Sequence, residues 1–208
     1  MKSSSILLLL LVSCSSPVQE KNITSLVQQQ KKRTEIKSPD HSWEHIFFKT
    51  INERARIAKL EDLRSTMLAE GDVEVRLWIG FGIIPIEGIV IRRRSKQWSA
   101  THIRSISPYL TRNEYQKELP PPKSGWEIFW KQITDNGILT LPDDSQLTDK
   151  VIATDGESFV VEINDGTYRT YKYSNPHLQK WPEAKQMIEI AKFIFNEFGI
   201  ERPSLTQK

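Results

Sequence analysis

A predicted β-hairpin constrains the fold of this chain more than any other feature. Phe159–Tyr173 consists of two runs in which apolar and polar residues alternate, the pattern of strands whose two faces differ. Between the runs, Asp165-Gly166 has the composition of a two-residue type I′ turn. Such a turn would place Glu162 directly opposite Arg169. It would also put Tyr168 on the face that carries the apolar residues of the first strand, which are Phe159, Val161 and Ile163.

Three further strands are predicted earlier in the chain. Val73–Ile79 alternates with period two, and Gly88–Arg94 and Gln97–Arg104 follow it. The polar turn Ser95-Lys96 joins the last two strands. Turns this short favour an antiparallel meander over parallel crossovers, which need a dozen or more residues.

Three helices are predicted around this sheet. A mostly polar helical pattern runs from about 43 to 68. A second helix would begin with Ser124 as N-cap, with Glu127 completing a capping box, and would end at Asn136-Gly137. The third runs over Pro182–Phe198. Its apolar residues form one stripe of period 3.6: Ala184, Met187, Ile188, Ala191, Ile194, Phe195 and Phe198.

The predicted fold class is therefore α+β. We expect an antiparallel sheet of about five or six strands, a meander plus a hairpin, with about three helices. The C-terminal amphipathic helix is expected to pack on the apolar face of the hairpin.

Composition limits the classes of function. The chain has 208 residues, of which 38% are hydrophobic and 26% charged, so it is neither collagen-like nor wholly disordered. A net charge of +3 is too small to indicate a nucleic-acid partner. One cysteine excludes a disulfide framework and a cysteine-based zinc cluster. No cofactor is expected.

The first residues have the features of an export signal. Lys2 precedes the apolar run Ile6–Val12, which is shorter than the roughly 20 residues that a membrane-spanning helix needs. The run ends in Leu11-Val12-Ser13-Cys14, and this sequence resembles the lipobox of bacterial lipoproteins. The resemblance, which covers only this segment, implies lipidation of Cys14. Ser15 after the cysteine resembles the outer-membrane type.

The expected organisation has four parts. Residues 1–13 are a signal peptide, 14–42 a lipid-anchored flexible tether, 43–203 a single α+β domain and 204–208 a tail. The tether is polar and cannot bury enough apolar surface to offset the entropy of ordering. A flexible tether of about 28 residues reaches about 30 Å, which would hold the domain clear of the lipid. The expected location is the cell envelope, at the outer membrane, facing the periplasm or the cell surface.

Titratable residues give weak indications of chemistry. His41 and His45 could share one helix face, but a zinc site needs further ligands that the sequence does not place nearby. His102 lies on a predicted strand, where catalysis would need a nucleophile within hydrogen-bond reach. Asp143 and Asp144 belong to an acidic stretch that does not match a calcium-binding loop, and we expect them to be solvated. No catalytic or metal-binding residue is assigned.

Aromatic and basic side chains define a predicted binding surface. The arginines form a cluster at a hairpin tip, where alternate side chains point to opposite faces. The aromatics would lie on the sheet face opposite the apolar one. They would bind a sugar or a protein if no helix covers that face, and would form a second core layer if the first helix does. The predicted surface comprises Trp78, Arg169, Tyr171, Tyr173, Arg92, Arg93 and Arg94.

The sequence leaves three hypotheses for function. The favoured one is a non-catalytic, lipid-anchored envelope protein that binds a protein or a cell-wall glycan. The second is an envelope hydrolase whose scattered catalytic residues include His102. The third is an inhibitor of a wall-degrading enzyme, with a loop over Gly80–Gly88 inserted into the cleft of its target.

Overall fold

The computed structural model describes residues 36–37, 44–81, 84–105, 115–153 and 156–206. The predicted signal peptide, the predicted lipidation site Cys14, most of the predicted tether and His41 lie outside these residues. The strands are β1 (Ile36–Lys37), β2 (Val73–Phe81), β3 (Ile84–Arg94), β4 (Gln97–Arg104), β5 (Tyr115–Glu118), β6 (Ser158–Asn164) and β7 (Tyr168–Ser174). The helices are α1 (Glu44–Ile57), α2 (Trp126–Asp135), α3 (Pro182–Glu197) and α4 (Pro203–Thr206), with 3-10 turns at Asp144–Gln146 and Pro176–Leu178.

The strands form one seven-stranded sheet in the order β1-β7-β6-β2-β3-β4-β5. The two-residue strand β1 pairs parallel with β7, and the other six strands pair antiparallel. The predicted α+β class and the meander of β2, β3 and β4 are confirmed. β3 begins earlier than predicted: Phe81 pairs with Ile84. The expectation of a long protruding loop over Gly80–Gly88 is therefore wrong.

The register of the β6–β7 hairpin differs from the prediction by one residue. Asn164 pairs with Tyr168, so three residues rather than two connect the strands, and Thr170 lies opposite Glu162. The side chain of Asn164 accepts from Gly166 N at 2.9 Å, and it donates to the carbonyls of two residues in the segment after α1. These bonds hold Asn164 at the end of the strand. A shift of one residue moves every β7 side chain to the other face of the sheet.

The first two helices also depart from the prediction. α1 ends at Ile57 rather than near residue 68, because the chain turns at Lys59, whose φ is 55°. The side chain and carbonyl of Asp62 then accept from following residues in a turn. α2 has Gly125, not Ser124, at its N-cap. Ser124 instead donates its backbone N–H and hydroxyl to Glu197 at 2.8 and 2.7 Å, so the predicted capping box is wrong.

Helices cover both faces of the sheet. On one face, α2 and α3 pack on a large core that contains the whole predicted stripe of α3 and also Phe159, Val161 and Ile163 of β6, which confirms the predicted packing. On the other face, α1 covers a smaller core around Trp78, through Phe47 and Ile51. Among the described residues, no helix has the length and apolar character needed to cross a membrane.

Candidate functional site

The aromatic residues of the predicted binding surface are buried. Trp78 lies under α1 with 0% of its surface exposed, so the second sheet face is a core layer. The register shift places Tyr171 and Tyr173 in the main core, with 1% and 0% exposed, where burial raises the pKa of both hydroxyls. Arg169 donates to the carbonyls of Leu139 and Leu141. The prediction that Trp78, Tyr171 and Tyr173 form an exposed surface is wrong.

The predicted arginine cluster is divided between the two faces of β3. Arg92 and Arg94 contact Glu74 at 2.8 and 2.6 Å, and Arg76 contacts the same carboxylate at 2.6 Å. Burial alone would raise the pKa of Glu74, but the charges of Arg76 and Arg92 outweigh it and hold that pKa below its ordinary value. Arg93 points to the opposite face. The alternation expected along the strand is therefore observed, and two of the three arginines share the Glu74 carboxylate as a partner.

His102 belongs to a buried ion-pair cluster. Its Nε2 lies 2.5 Å from Glu87, and Arg202 bridges Glu87 and Glu157 from beyond α3. His102 is 5% exposed. Burial alone would raise the pKa of Glu87, but the hydrogen bond with His102 and the charge of Arg202 outweigh it and lower that pKa. This arrangement ties the end of the chain to the sheet.

Asp143 and Asp144 are buried rather than solvated, which corrects the prediction. Their carboxylates accept from the backbone N–H groups of Lys172 and Ser174, each at 2.8 Å. Lys150 lies 2.7 Å from Asp144. The two aspartates therefore block the outer edge of β7, where unpaired N–H groups would otherwise attract another strand. Within the described residues, no group of three or more acids, histidines or cysteines is arranged to hold a metal ion.

An open groove lies where the end of α1 meets β4 and β5. Its volume is about 490 Å³, and its lining includes Lys59, Arg92, Gln116 and Glu118. Gln116 donates to the carbonyl of Ala58 at 3.2 Å, across the groove. The lining mixes both signs of charge and has no aromatic side chain, so it favours no class of ligand.

The aromatic surface lies elsewhere, on the outer side of the main core. We define the tryptophan surface as Trp98 of β4, Trp126 and Trp130 of α2, and Arg93 of β3. The rings of Trp98 and Trp126 are stacked with centroids 5.5 Å apart and planes 7° from parallel, and Trp130 lies 5.1 Å from Trp98. The guanidinium of Arg93 lies over Trp98 at 5.2 Å. All four side chains are partly exposed.

The hydrogen bonding of the indoles distinguishes this surface from the cores. The buried Trp78 donates its N–H to Glu162 at 2.8 Å, and Trp181 donates to the carbonyl of Thr148 at 2.5 Å. Within the described part of the chain, no acceptor is bonded to the indole N–H groups of the tryptophan surface, and none of these groups is buried without a partner. They reach the surface as unused donors.

Sequence reasoning missed this surface although it placed its parts. The sequence predicts the helix that carries Trp126 and Trp130 and the strand that carries Trp98. The missing information was that β4 passes beside α2, which is a tertiary contact. A useful signal would have been two tryptophans four residues apart on a helix that also supplies Phe129 to the core.

No protein-family model, no curated protein and no solved structure matches this chain.

Proposed function

We propose that this chain is a lipid-anchored protein of the cell envelope, and that its domain is a non-catalytic binding module for an envelope protein or a cell-wall glycan. The lipobox-like sequence ending at Cys14 supports the anchor. The tryptophan surface supports the binding role and is the observation that carries it. Rigid indoles offer a large contact area at low entropic cost, and Trp and Arg are enriched at binding hot spots.

The alternative functions depend on features with other roles in the fold. The hydrolase hypothesis rested on His102, which is buried and held by Glu87. The inhibitor hypothesis rested on a protruding loop over Gly80–Gly88, most of which belongs to β2 and β3. Neither hypothesis gains an observation in its favour, and the binding module remains the better-supported proposal.

Replacement of the lone cysteine tests the anchor. The Cys14→Ala variant should move from the membrane fraction to the soluble fraction, because several acyl chains supply the attachment at about 0.8 kcal/mol per buried CH₂. Fractionation and immunoblotting of the tagged full-length protein measure the shift. If the variant stays in the membrane as the wild type does, the anchor is wrong.

Crosslinking in cells tests the binding role. The tagged full-length protein is crosslinked, purified from detergent-solubilised envelope and analysed by mass spectrometry for proteins and glycan fragments. A double variant with Arg93→Gln and Trp130→Phe should no longer capture the partner, whereas the control variant Ile128→Ala should still capture it. Ile128 is 55% exposed and lies about 200° around α2 from Trp126 and Trp130. Absence of a stoichiometric partner at proven expression would overturn the proposal.

A further inference from the structure

The donors of the tryptophan surface indicate which class of ligand it takes. We infer that Trp98, Trp126, Trp130 and Arg93 bind an oligosaccharide that carries carboxylate groups. The inference rests on the proposed binding function and adds the chemistry of the ligand. It depends on three observations: the partly exposed indole rings, their unused N–H groups and the terminal nitrogens of Arg93, which have no partner among the described residues.

The indoles supply an amphipathic contact. The exposed parts of the rings offer apolar area that suits the C–H faces of a sugar ring, and an indole N–H can donate to a hydroxyl or ring oxygen. The stacking of Trp98 on Trp126 at 5.5 Å, with Trp130 beside them, fixes the three rings relative to one another. The surface is therefore rigid before a ligand arrives, which lowers the entropic cost of binding.

Arg93 supplies the charge. Its Nε donates to the carbonyl of Gly71 at 2.8 Å, and its guanidinium lies over Trp98, so the group is held in one place. Among the described residues, no carboxylate pairs with Arg93, and its two terminal nitrogens carry no hydrogen bond. Arg92 and Arg94 differ, since each is paired with the Glu74 carboxylate. Two free N–H groups on a planar guanidinium match a carboxylate in bidentate geometry.

Other ligands fit these observations less well. A neutral glycan or a proline-rich peptide would use the indole donors but leave the guanidinium without a partner. An acidic peptide could pair with Arg93, but ordering its flexible chain would cost more entropy than binding a sugar ring does. A membrane surface would favour apolar side chains beside the indoles, whereas the exposed Ile128 lies around the far side of α2. An acidic glycan uses the rings, the indole donors and the guanidinium together.

Matched oligosaccharides test the inference on the full-length protein in detergent. The acidic probe is a glycan strand of alternating N-acetylglucosamine and N-acetylmuramic acid with free lactyl carboxylates. The neutral probe is a chito-oligosaccharide of equal length, which lacks the carboxylates. Calorimetric titration should show the acidic strand binding at least about tenfold more tightly, as expected for charge-assisted hydrogen bonds. Equal affinity for the two probes, or no binding of either, would overturn the inference.

Two single variants and a charge control locate the site. Arg93→Gln should abolish the preference for the acidic strand. Trp130→Phe keeps an aromatic ring but loses the N–H, so it should lower the affinity for both probes. Lys96→Gln removes one positive charge from the exposed turn between β3 and β4, and it should preserve the preference. If Lys96→Gln reduces it as much as Arg93→Gln does, the effect is diffuse charge and the inference is wrong. Thermal unfolding verifies that each variant is folded.

Two further probes separate failure of this inference from failure of the proposed function. Vesicles of phosphatidylglycerol in phosphatidylcholine, and a proline-rich peptide, are tested with the same variants. Binding of either probe that depends on Arg93 and Trp130, without binding of the acidic strand, would reject the glycan and keep a binding module. If no probe binds and crosslinking captures no partner, both proposals fail.

Discussion

Trp78 donates its indole N–H to the Glu162 carboxyl at 2.8 Å, under α1, in a layer that also contains Tyr168. The Tyr168 hydroxyl donates to the other oxygen of Glu162 at 3.0 Å. Glu162 is 2% exposed. Burial raises the pKa of this carboxyl, although Arg76 and Arg64 act in the opposite direction. The polar layer beneath α1 therefore contains a carboxyl that holds its proton more tightly in the folded protein than in the unfolded chain.

A Glu162→Gln variant should change how stability depends on pH. Because the folded pKa of Glu162 is raised, its contribution to stability is present below the ordinary carboxyl pKa and is lost as pH rises through the folded pKa. The neutral amide removes this loss, so the free energy of unfolding should decline less than in the wild type as pH rises above about 4.5, the ordinary carboxyl pKa. Urea unfolding across this range measures the difference. Glu118→Gln, an exposed change in β5, is the control, and parallel curves for Glu162→Gln and the wild type would contradict the prediction.

Two tyrosines of β7 provide a matched test of the hairpin register. Tyr171 donates its hydroxyl to the carbonyl of Ile138 at 2.8 Å, whereas the buried Tyr173 hydroxyl has no partner among the described residues. Tyr171→Phe should reduce the free energy of unfolding by about 1–3 kcal/mol, because a buried carbonyl loses its donor. Tyr173→Phe should leave stability unchanged or raise it. Denaturant unfolding of both variants measures the two changes in the free energy of unfolding. Equally small changes would indicate that both tyrosines are exposed, as they would be if Glu162 lay opposite Arg169.

The same hairpin shows what the sequence could and could not predict. Alternation in Phe159–Tyr173 identified both strands, and the apolar stripe over Pro182–Phe198 identified α3 and the face it packs on. These signals are local, because they depend on residues that are neighbours in one element. The register depends on Asn164, which bonds to the segment after α1, more than ninety residues earlier. No turn composition contains that information.

The candidate site was less predictable than the fold for the same reason. Trp78 is buried because α1 crosses its face of the sheet. The mostly polar pattern of α1 does not indicate which face of the sheet the helix covers. The tryptophan surface arises because β4 runs beside α2. In the sequence, Asp143 and Asp144 resemble solvated acidic residues of a loop. Nothing local shows that β7 lies within reach of their carboxylates. Each of these facts is a contact between elements far apart in the chain.

A Gly88→Ala variant should disturb the layer beneath α1. Gly88 pairs with Trp78 across β2 and β3, and a Cβ at this position would lie 2.5 Å from the indole ring. Trp78 would have to move within a fully packed region and weaken its bond to Glu162. We expect a loss of about 1–3 kcal/mol in the free energy of unfolding, the usual cost of overpacking. Unfolding followed by circular dichroism measures it against Ser99→Ala, an exposed change on β4, and a Gly88→Ala variant as stable as that control would contradict the packing.

The chain end should contribute to stability through Arg202, in a manner that depends on pH. Arg202 is 9% exposed and bridges Glu87 and Glu157, so Arg202→Met leaves two buried carboxylates without their shared partner. The expected cost at neutral pH is about 3–5 kcal/mol. Because the folded pKa of Glu87 lies below its ordinary value, its stabilising effect is present above the ordinary carboxyl pKa and is lost as pH falls through the folded pKa.

The deficit of Arg202→Met should therefore be largest near neutral pH and should narrow in acid, when Glu87 takes up a proton and no longer needs a cation. Urea unfolding at several pH values compares the variant with the wild type and with Glu201→Gln, a change at the exposed neighbouring residue. A deficit that is constant with pH would mean that Arg202 stabilises by packing alone. No deficit at all would mean that α4 and the residues around it are not fastened to the sheet through Glu87. Either result would mean that the ion pair between Arg202 and Glu87 does not stabilise the buried cluster that contains His102.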